Sequence, residues 1–161
     1  MIRFAALADL EPIVALSREF YNEIDLDAVG YRFDEPRIRE SYLKGIDCKD
    51  HFVLLYLEQG ELLGLFFFSI RNEHYYFRNR CFGSEIVWHS KPDLPPLKRL
   101  RIMMKLFESG EMFMQSRGAT GIYCGLDARK DFHHPGINKY LLRKGYSSIV
   151  NTYYKRLGNE C

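Results

Sequence analysis

Cysteines are few in this 161-residue chain, and the four that occur, Cys48, Cys81, Cys124 and Cys161, lie far apart. No CxxC pair or other close spacing is present, which argues against a zinc ribbon and against a thioredoxin-like redox centre. Nothing resembling a signal peptide precedes Ile2. We therefore expect reduced thiols and a cytoplasmic location.

Long apolar runs and an excess of one charge are also missing. The longest apolar run, around LLGLFFFSI, is much shorter than the ~20 residues that a membrane span needs, so we expect no membrane association. The 23 Lys and Arg residues nearly balance the 21 Asp and Glu residues, which gives a net charge of +2. This balance argues against nucleic acid and against an anionic membrane as partners.

Helical and strand patterns alternate along the chain without a linker or repeat, and 47% of the residues are hydrophobic, which is enough for one compact core. The first predicted elements are the strand IRFA, a helix opened by Asp9 and Pro12, a short helix capped by Asp34 and a hairpin that turns at Gln59-Gly60. The strand GSEIVWHS follows, and then a helix that ends at Gly118 and buries Leu97, Leu100, Met104, Phe107 and Met114. The last predicted elements are the strand GIYCGL, a helix from Pro135 to Lys144 and the extended segment YSSIVNTYYKRL. The predicted order is therefore βααβββαβαβ.

The stretch SEIVWHSKPDLPPLKRLRIMMKLF, residues 84–107, predicts a strand, a basic turn and a helix. Amide groups and the positive end of the helix dipole bind anions at such a junction, and Lys98, Arg99 and Arg101 would add charge. No glycine lies between Gly83 and Gly110, although phosphate-binding loops usually need one for close backbone approach.

Three segments carry a resemblance to a known family. INKYLLRKGYSSIVNTYYKRL resembles the last helix and strands of GNAT-superfamily acyltransferases, with Gly145-Tyr146 in place of the usual GF pair. SRGATGIYCGL looks like the family's helix end and fifth strand, and SEIVWHS like the fourth strand of its histone acetyltransferase branch. The resemblance, which extends to divergent bacteriophage-encoded members, implies one α/β domain over residues 1–161, with a twisted mixed sheet of about six or seven strands flanked by helices.

The resemblance also implies a reaction and a cosubstrate. GNAT enzymes transfer an acetyl group from acetyl-CoA to a primary amine, on a protein lysine or a small molecule, without a metal. The fourth strand pairs with the pantetheine, which assigns Trp88, His89 and Ser90 to that contact. The following helix end holds the diphosphate, which assigns Lys98, Arg99 and Arg101. If the chain is viral, the reaction would take place in the host cytoplasm.

The sequence departs from the family at the diphosphate motif, Q/R-x-x-G-x-G/A. Alignment along the helix puts Lys98 at its first position, with Arg101 and Met103 where glycines belong. Two interpretations stay open: the basic side chains replace the backbone contacts, or CoA binding is lost and the bases form a solvated helix face. In the second case the chain is a catalytically silent GNAT-fold module that binds a macromolecule or belongs to a virion.

Candidate catalytic residues follow from the same resemblance. Glu85 matches the glutamate base, and burial beside aromatic neighbours would raise its pKa toward the working pH. His89, four residues further along the strand, should share a face with Glu85 and serve as a second base or hold a water. The acid, a tyrosine in the family, aligns with Leu141; its neighbour Tyr140 is the candidate, although a one-residue offset turns a helical side chain by about 100°.

Other features suggest partners or metals less clearly. His133 and His134 are adjacent, so their side chains diverge, and no metal-ligand spacing accompanies them; we expect no metal. The aromatic and basic segment 75–80 suits single-stranded nucleic acid, but no RNA-binding motif is present, so a loop on the acceptor side or a partner-binding loop is favoured. A homodimer is left open.

Overall fold

The computed structural model describes residues 1–25, 32–71, 81–124 and 135–147. Its strands and helices, in chain order, are β1 (Ile2–Phe4), α1 (Leu10–Glu23), α2 (Glu35–Asp47), β2 (His51–Glu58), β3 (Glu61–Arg71), β4 (Phe82–Ser90), α3 (Pro96–Ser116), β5 (Gly121–Tyr123) and α4 (Pro135–Arg143). A short 3₁₀ turn, Leu7–Asp9, leads into α1. No helix in these described ranges has both the length and the apolar character needed to cross a membrane.

The predicted α2 cap and the predicted turns are confirmed, whereas Asp9 stands at the start of α1 without a side-chain cap hydrogen bond. The Asp34 side chain accepts a hydrogen bond from the Arg37 amide and caps α2. Gln59 and Gly60, both with positive φ, form the two-residue turn between β2 and β3. The helices α3 and α4 are each followed by a positive-φ glycine, Gly118 and Gly145. The element order agrees with the prediction up to α4, and the predicted segment 146–157 lies largely outside the described residues.

The described strands form one mixed sheet of five strands in the order β1-β2-β3-β4-β5. The first four strands pair antiparallel, and β5 pairs parallel to β4 after the crossover through α3. The described residues therefore contain slightly fewer strands than the six or seven expected. This topology leaves β4 inside the sheet, with an antiparallel partner on one side and a parallel partner on the other.

Helices cover both faces of the sheet. On one face α1 and α2 pack through Ile13, Leu16 and Tyr42 against the side chains of β2 and β3. On the other face α3 and α4 contribute most of a larger core around Phe66, Phe68, Trp88, Phe107 and Tyr140. We call these the α1 face and the α3 face of the sheet.

Helix α3 confirms most of the predicted stripe, since Phe107 and Met114 are buried and Leu100 and Met104 pack against the core, but its first turn differs. Leu97, expected in the core, is 70% exposed, and Arg99 is buried instead. The buried residues of α3 are Arg99, Ile102, Met103, Leu106, Phe107, Gly110 and Met114, which recur at three and four residues. A charged residue occupies the first position of this stripe, so the hydrophobic pattern alone placed the stripe on the wrong side of the first turn.

Candidate functional site

Strand β4 contains a bulge next to the candidate base. Val87 pairs with Phe67 of β3 and Glu85 pairs with Phe68, so Ile86 is an extra residue, and its side chain is 40% exposed. Paired residues share a face of the sheet, which puts Glu85 on the α3 face with Phe68 and puts His89, the partner of Leu65, on the α1 face. The expectation that Glu85 and His89 share a face is therefore wrong, because the inserted residue reverses the alternation between them.

The β4 and β5 strands part just before this bulge. Their parallel pairing runs from Phe82 with Gly121 to Ser84 with Tyr123, and Cys124 already lies outside the strand. In the described part of the chain, no strand pairs with residues 86–90 on the β5 side. Backbone groups of alternate residues point toward each edge of a strand. On the β5 side, the end of β4 therefore presents hydrogen-bonding groups that no described strand pairs with, and we call this edge, residues 86–90, the gap.

Glu85 lies at the start of this gap, close to Cys124. It is half-buried, and burial first and the Glu85 charge second raise the pKa of the Cys124 thiol. A thiol in this state keeps its proton and is a poor nucleophile. The carboxylate of Glu85 is therefore the stronger candidate for proton transfer on this side of the sheet.

His89 is fully buried under α1. Its ring stacks on Phe20 with centroids 4.4 Å apart and planes 6° from parallel. Neither ring nitrogen has a hydrogen-bond partner in the described ranges. Burial, and then the nearby Arg99 charge, lower the pKa of His89 to about 3, so the imidazole is neutral at physiological pH. The structure gives this side chain no route to a substrate.

Arg99 of α3 is held by hydrogen bonds beside the end of β4. Its guanidinium binds both carboxylate oxygens of Glu23, the last residue of α1, at 2.5 and 2.8 Å. Its Nε also donates to the buried Ser90 hydroxyl at 3.3 Å. These bonds join α1, β4 and α3 across the end of the sheet, and they occupy three of the five donors of Arg99.

The other predicted diphosphate ligands do not converge on the gap. The Lys98 ammonium pairs with Glu58 at the end of β2, on an exposed surface. Arg101 is exposed, and the structure places no carboxylate on it within the described ranges. Trp88 is buried on the α3 face, where its indole N–H donates to the Met103 carbonyl at 3.0 Å. The side chains of Trp88, His89 and Ser90 are all buried, so β4 can offer a ligand only its backbone here.

Tyr140 of α4 is held by a carboxylate. Its hydroxyl donates to Glu108 of α3 at 3.0 Å, and burial, followed by this bond and the Glu108 charge, raises the pKa of the phenol. Tyr146 donates to Glu111 in the same way at 3.0 Å, and Lys144 lies 3.6 and 3.7 Å from the two carboxylates. These contacts fasten α4 to α3, and Tyr140 keeps its proton.

The sequence analysis missed Glu23 and Glu108, the partners that fix Arg99 and Tyr140. A weak signal for Glu23 exists, because Arg99 falls in register with the buried residues Ile102, Met103 and Leu106 of α3. A buried arginine needs an opposite charge, so the register alone would have called for an acidic partner. Glu108 carries no comparable signal.

Comparison with known proteins supports the fold of the chain. No protein-family model and no curated protein sequence matches it. Among solved structures, an aminoglycoside 6'-N-acetyltransferase from Acinetobacter haemolyticus matches with TM-score 0.69 and 14% identity over 99% of both chains. A GNAT family acetyltransferase from Staphylococcus aureus matches with TM-score 0.64 and 17% identity over 98% of both chains.

A third similar structure has a description other than acetyltransferase, so the fold alone does not establish an activity. A structure described as a transcriptional regulator from Bacillus halodurans matches with TM-score 0.73 and 13% identity over 98% of this chain and 99% of the other. The chain therefore has the GNAT acetyltransferase fold, as the resemblance predicted. At these identities the likeness establishes the architecture, and the activity has to be argued from the site.

Proposed function

We propose that this protein is an N-acyltransferase that moves an acetyl group from a thioester donor, tested first as acetyl-CoA, to a primary amine. The observation that carries the proposal is that no strand in the described ranges pairs with β4 on the β5 side beyond Ser84, next to a bulge and a half-buried glutamate. The nearly full-length likeness to GNAT acetyltransferase structures supports the same assignment.

The site fits the pantetheine arm of the donor but not its diphosphate. The edge of β4 at residues 86–90 suits the amide groups of a pantetheine arm, which pair with an extended backbone. The first turn of α3 does not offer a diphosphate cradle, because Arg99 is bound to Glu23 and Lys98 is turned to Glu58. We therefore assign Arg99 a structural role and base the proposal on the β4 edge.

Glu85 is the proposed base. An amine must lose a proton as its nitrogen attacks the thioester carbonyl, and a carboxylate beside the bulge can accept that proton directly or through one water. We leave His89 out of the catalytic set because it is fully buried on the other face. Tyr140 could protonate the departing thiolate only after leaving Glu108, so its role as the acid is a weaker proposal.

The acceptor is proposed only as a primary amine. Four of the similar structures are described as aminoglycoside acetyltransferases, so aminoglycosides are the first acceptors to test, followed by polyamines and lysine peptides.

The test is acetylation of such an amine panel, followed by mass spectrometry, with wild-type protein and Glu85→Gln. We expect the substitution to lower turnover at least ~100-fold, since general-base catalysis contributes about 10²–10⁴-fold. Glu40→Gln, an exposed change on α2, is the matched control and should leave the rate unchanged. Equal rates for Glu85→Gln and Glu40→Gln would remove Glu85 from the mechanism, and no acetylation of any amine would overturn the proposed function.

A further inference from the structure

We propose that the protein recognises its acyl donor through the acyl-pantetheine arm and that the nucleotide diphosphate of CoA adds nothing to binding. This inference rests on the proposed acyl transfer and names its donor class, the pantetheine thioesters. Such an arm occurs both on CoA and on carrier proteins, and the experiment below separates the two sources.

The backbone at the start of α3 offers almost no donor to a phosphate. Pro95 and Pro96 have no N–H group. The amides of Lys98 and Arg99 both donate to the Pro95 carbonyl, at 2.9 and 3.0 Å. Within residues 95–99 this leaves the Leu97 amide, whereas phosphate sites at helix ends rely on several amides that point at the ligand together.

The cationic side chains of this turn are directed elsewhere. Arg99 is only 10% exposed and is held by Glu23, and Lys98 binds Glu58 on the β2 side of the helix. Arg101 is exposed, three residues after Lys98, and therefore lies on the same side of α3 as Lys98. In the described ranges this leaves one guanidinium without an ion-pair partner, which is not the convergent set that a diphosphate needs to replace its lost hydration.

The surface that remains at this helix end is apolar. Pro95, Pro96 and Leu97 are all exposed, Leu97 by 70%. A doubly charged group placed against these side chains would lose water without gaining partners. The edge of β4 is different, because its backbone groups at residues 86–90 face the gap and suit the two amides of a pantetheine arm. Among the described residues, the contacts available to a donor are therefore those of the arm.

The experiment compares three acetyl donors with the full chain: acetyl-CoA, acetyl-pantetheine and an acetylated carrier domain. We expect kcat/KM values for acetyl-CoA and acetyl-pantetheine to agree within about 3-fold. A working cradle with three charge-assisted hydrogen bonds would favour acetyl-CoA by more than ~100-fold. A preference of that size would overturn the inference and leave the proposed function standing. A carrier domain that reacts faster than acetyl-CoA would identify the carrier as the source of the arm, and a carrier domain that reacts more slowly would identify CoA.

Binding without turnover gives an independent readout. Free pantetheine and CoA should raise the melting temperature equally at equal concentration, because a ligand of the native state stabilises it by mass action. Lys98→Ala with Arg101→Ala should leave the shift by CoA unchanged, and Arg37→Ala on α2 is the matched control. Equal shifts without acetyl transfer would refute the proposed function and would support only the part of this inference that says the arm, and not the diphosphate, binds. Shifts by neither compound would refute both.

Discussion

The ion pair between Glu23 and Arg99 gives the sharpest test of how the end of β4 is built. Glu23→Gln keeps the shape of the side chain and removes its charge, which leaves the Arg99 guanidinium buried without a counter-charge. Arg99→Met removes the other charge. The double variant Glu23→Gln/Arg99→Met completes a cycle that isolates the energy of the pair from the effect of each change alone.

The magnitude follows from exposure. Breaking a fully buried pair costs about 3–5 kcal/mol, and an exposed pair contributes about 0–1 kcal/mol. Arg99 and Glu23 are 10% and 24% exposed, close to the buried case, so we expect Glu23→Gln to lower the free energy of unfolding by about 2–3 kcal/mol. For a domain of this size, that corresponds to a fall in melting temperature of about 4–12 °C.

The assay is urea denaturation at pH 7 for both single variants and the double variant. The matched control is the neighbouring pair of Lys98 and Glu58, whose side chains are 41% and 44% exposed. We expect a coupling energy above ~1 kcal/mol for Glu23 with Arg99 and below that value for the control pair. Equal coupling energies in the two cycles would refute the claim that the buried ion pair between Arg99 and Glu23 stabilises the end of the sheet.

Three further outcomes follow from the packing. The folded-state pKa of His89, about 3, lies below its unfolded value near 6.5, so the unfolded chain binds the extra proton. Lowering the pH from 7.5 to 5 therefore lowers the free energy of unfolding by about 2 kcal/mol. His89→Gln should abolish this loss, as measured by urea titrations at both pH values. Gly110→Ala should destabilise by about 1–3 kcal/mol, seen as a lower urea midpoint, because the new Cβ would lie 2.4 Å from the Phe66 ring. Tyr140→Phe should lower the rate of acetylation by less than ~10-fold, since its hydroxyl is held by Glu108; a loss of 100-fold or more would instead identify Tyr140 as the acid.

Local signals in the sequence were sufficient for most of the fold. Asp34 as a cap, the Gln59-Gly60 turn and the positive-φ glycines at the ends of α3 and α4 act within a few residues, so each could be predicted without tertiary information. The order of elements followed from these signals and from hydrophobic spacing.

The site was harder to predict, for two physical reasons. The bulge at Ile86 inserts one residue in β4, and no glycine or proline at that position signals it in the sequence. The inserted residue places Glu85 on the opposite face of the sheet from His89. The stripe of α3 begins with Arg99, which is buried only because Glu23, 76 residues earlier, neutralises it. Both features depend on contacts between distant segments, which spacing along the chain does not encode.

The measurement that tests the central claim most directly is a crystal structure of the protein with CoA bound. We expect the pantetheine arm along residues 86–90 of β4, beside Glu85, with the diphosphate in solvent near the apolar start of α3. A gap filled by the protein's own side chains, with the donor absent or bound elsewhere, would contradict the acyltransferase account and leave only the fold.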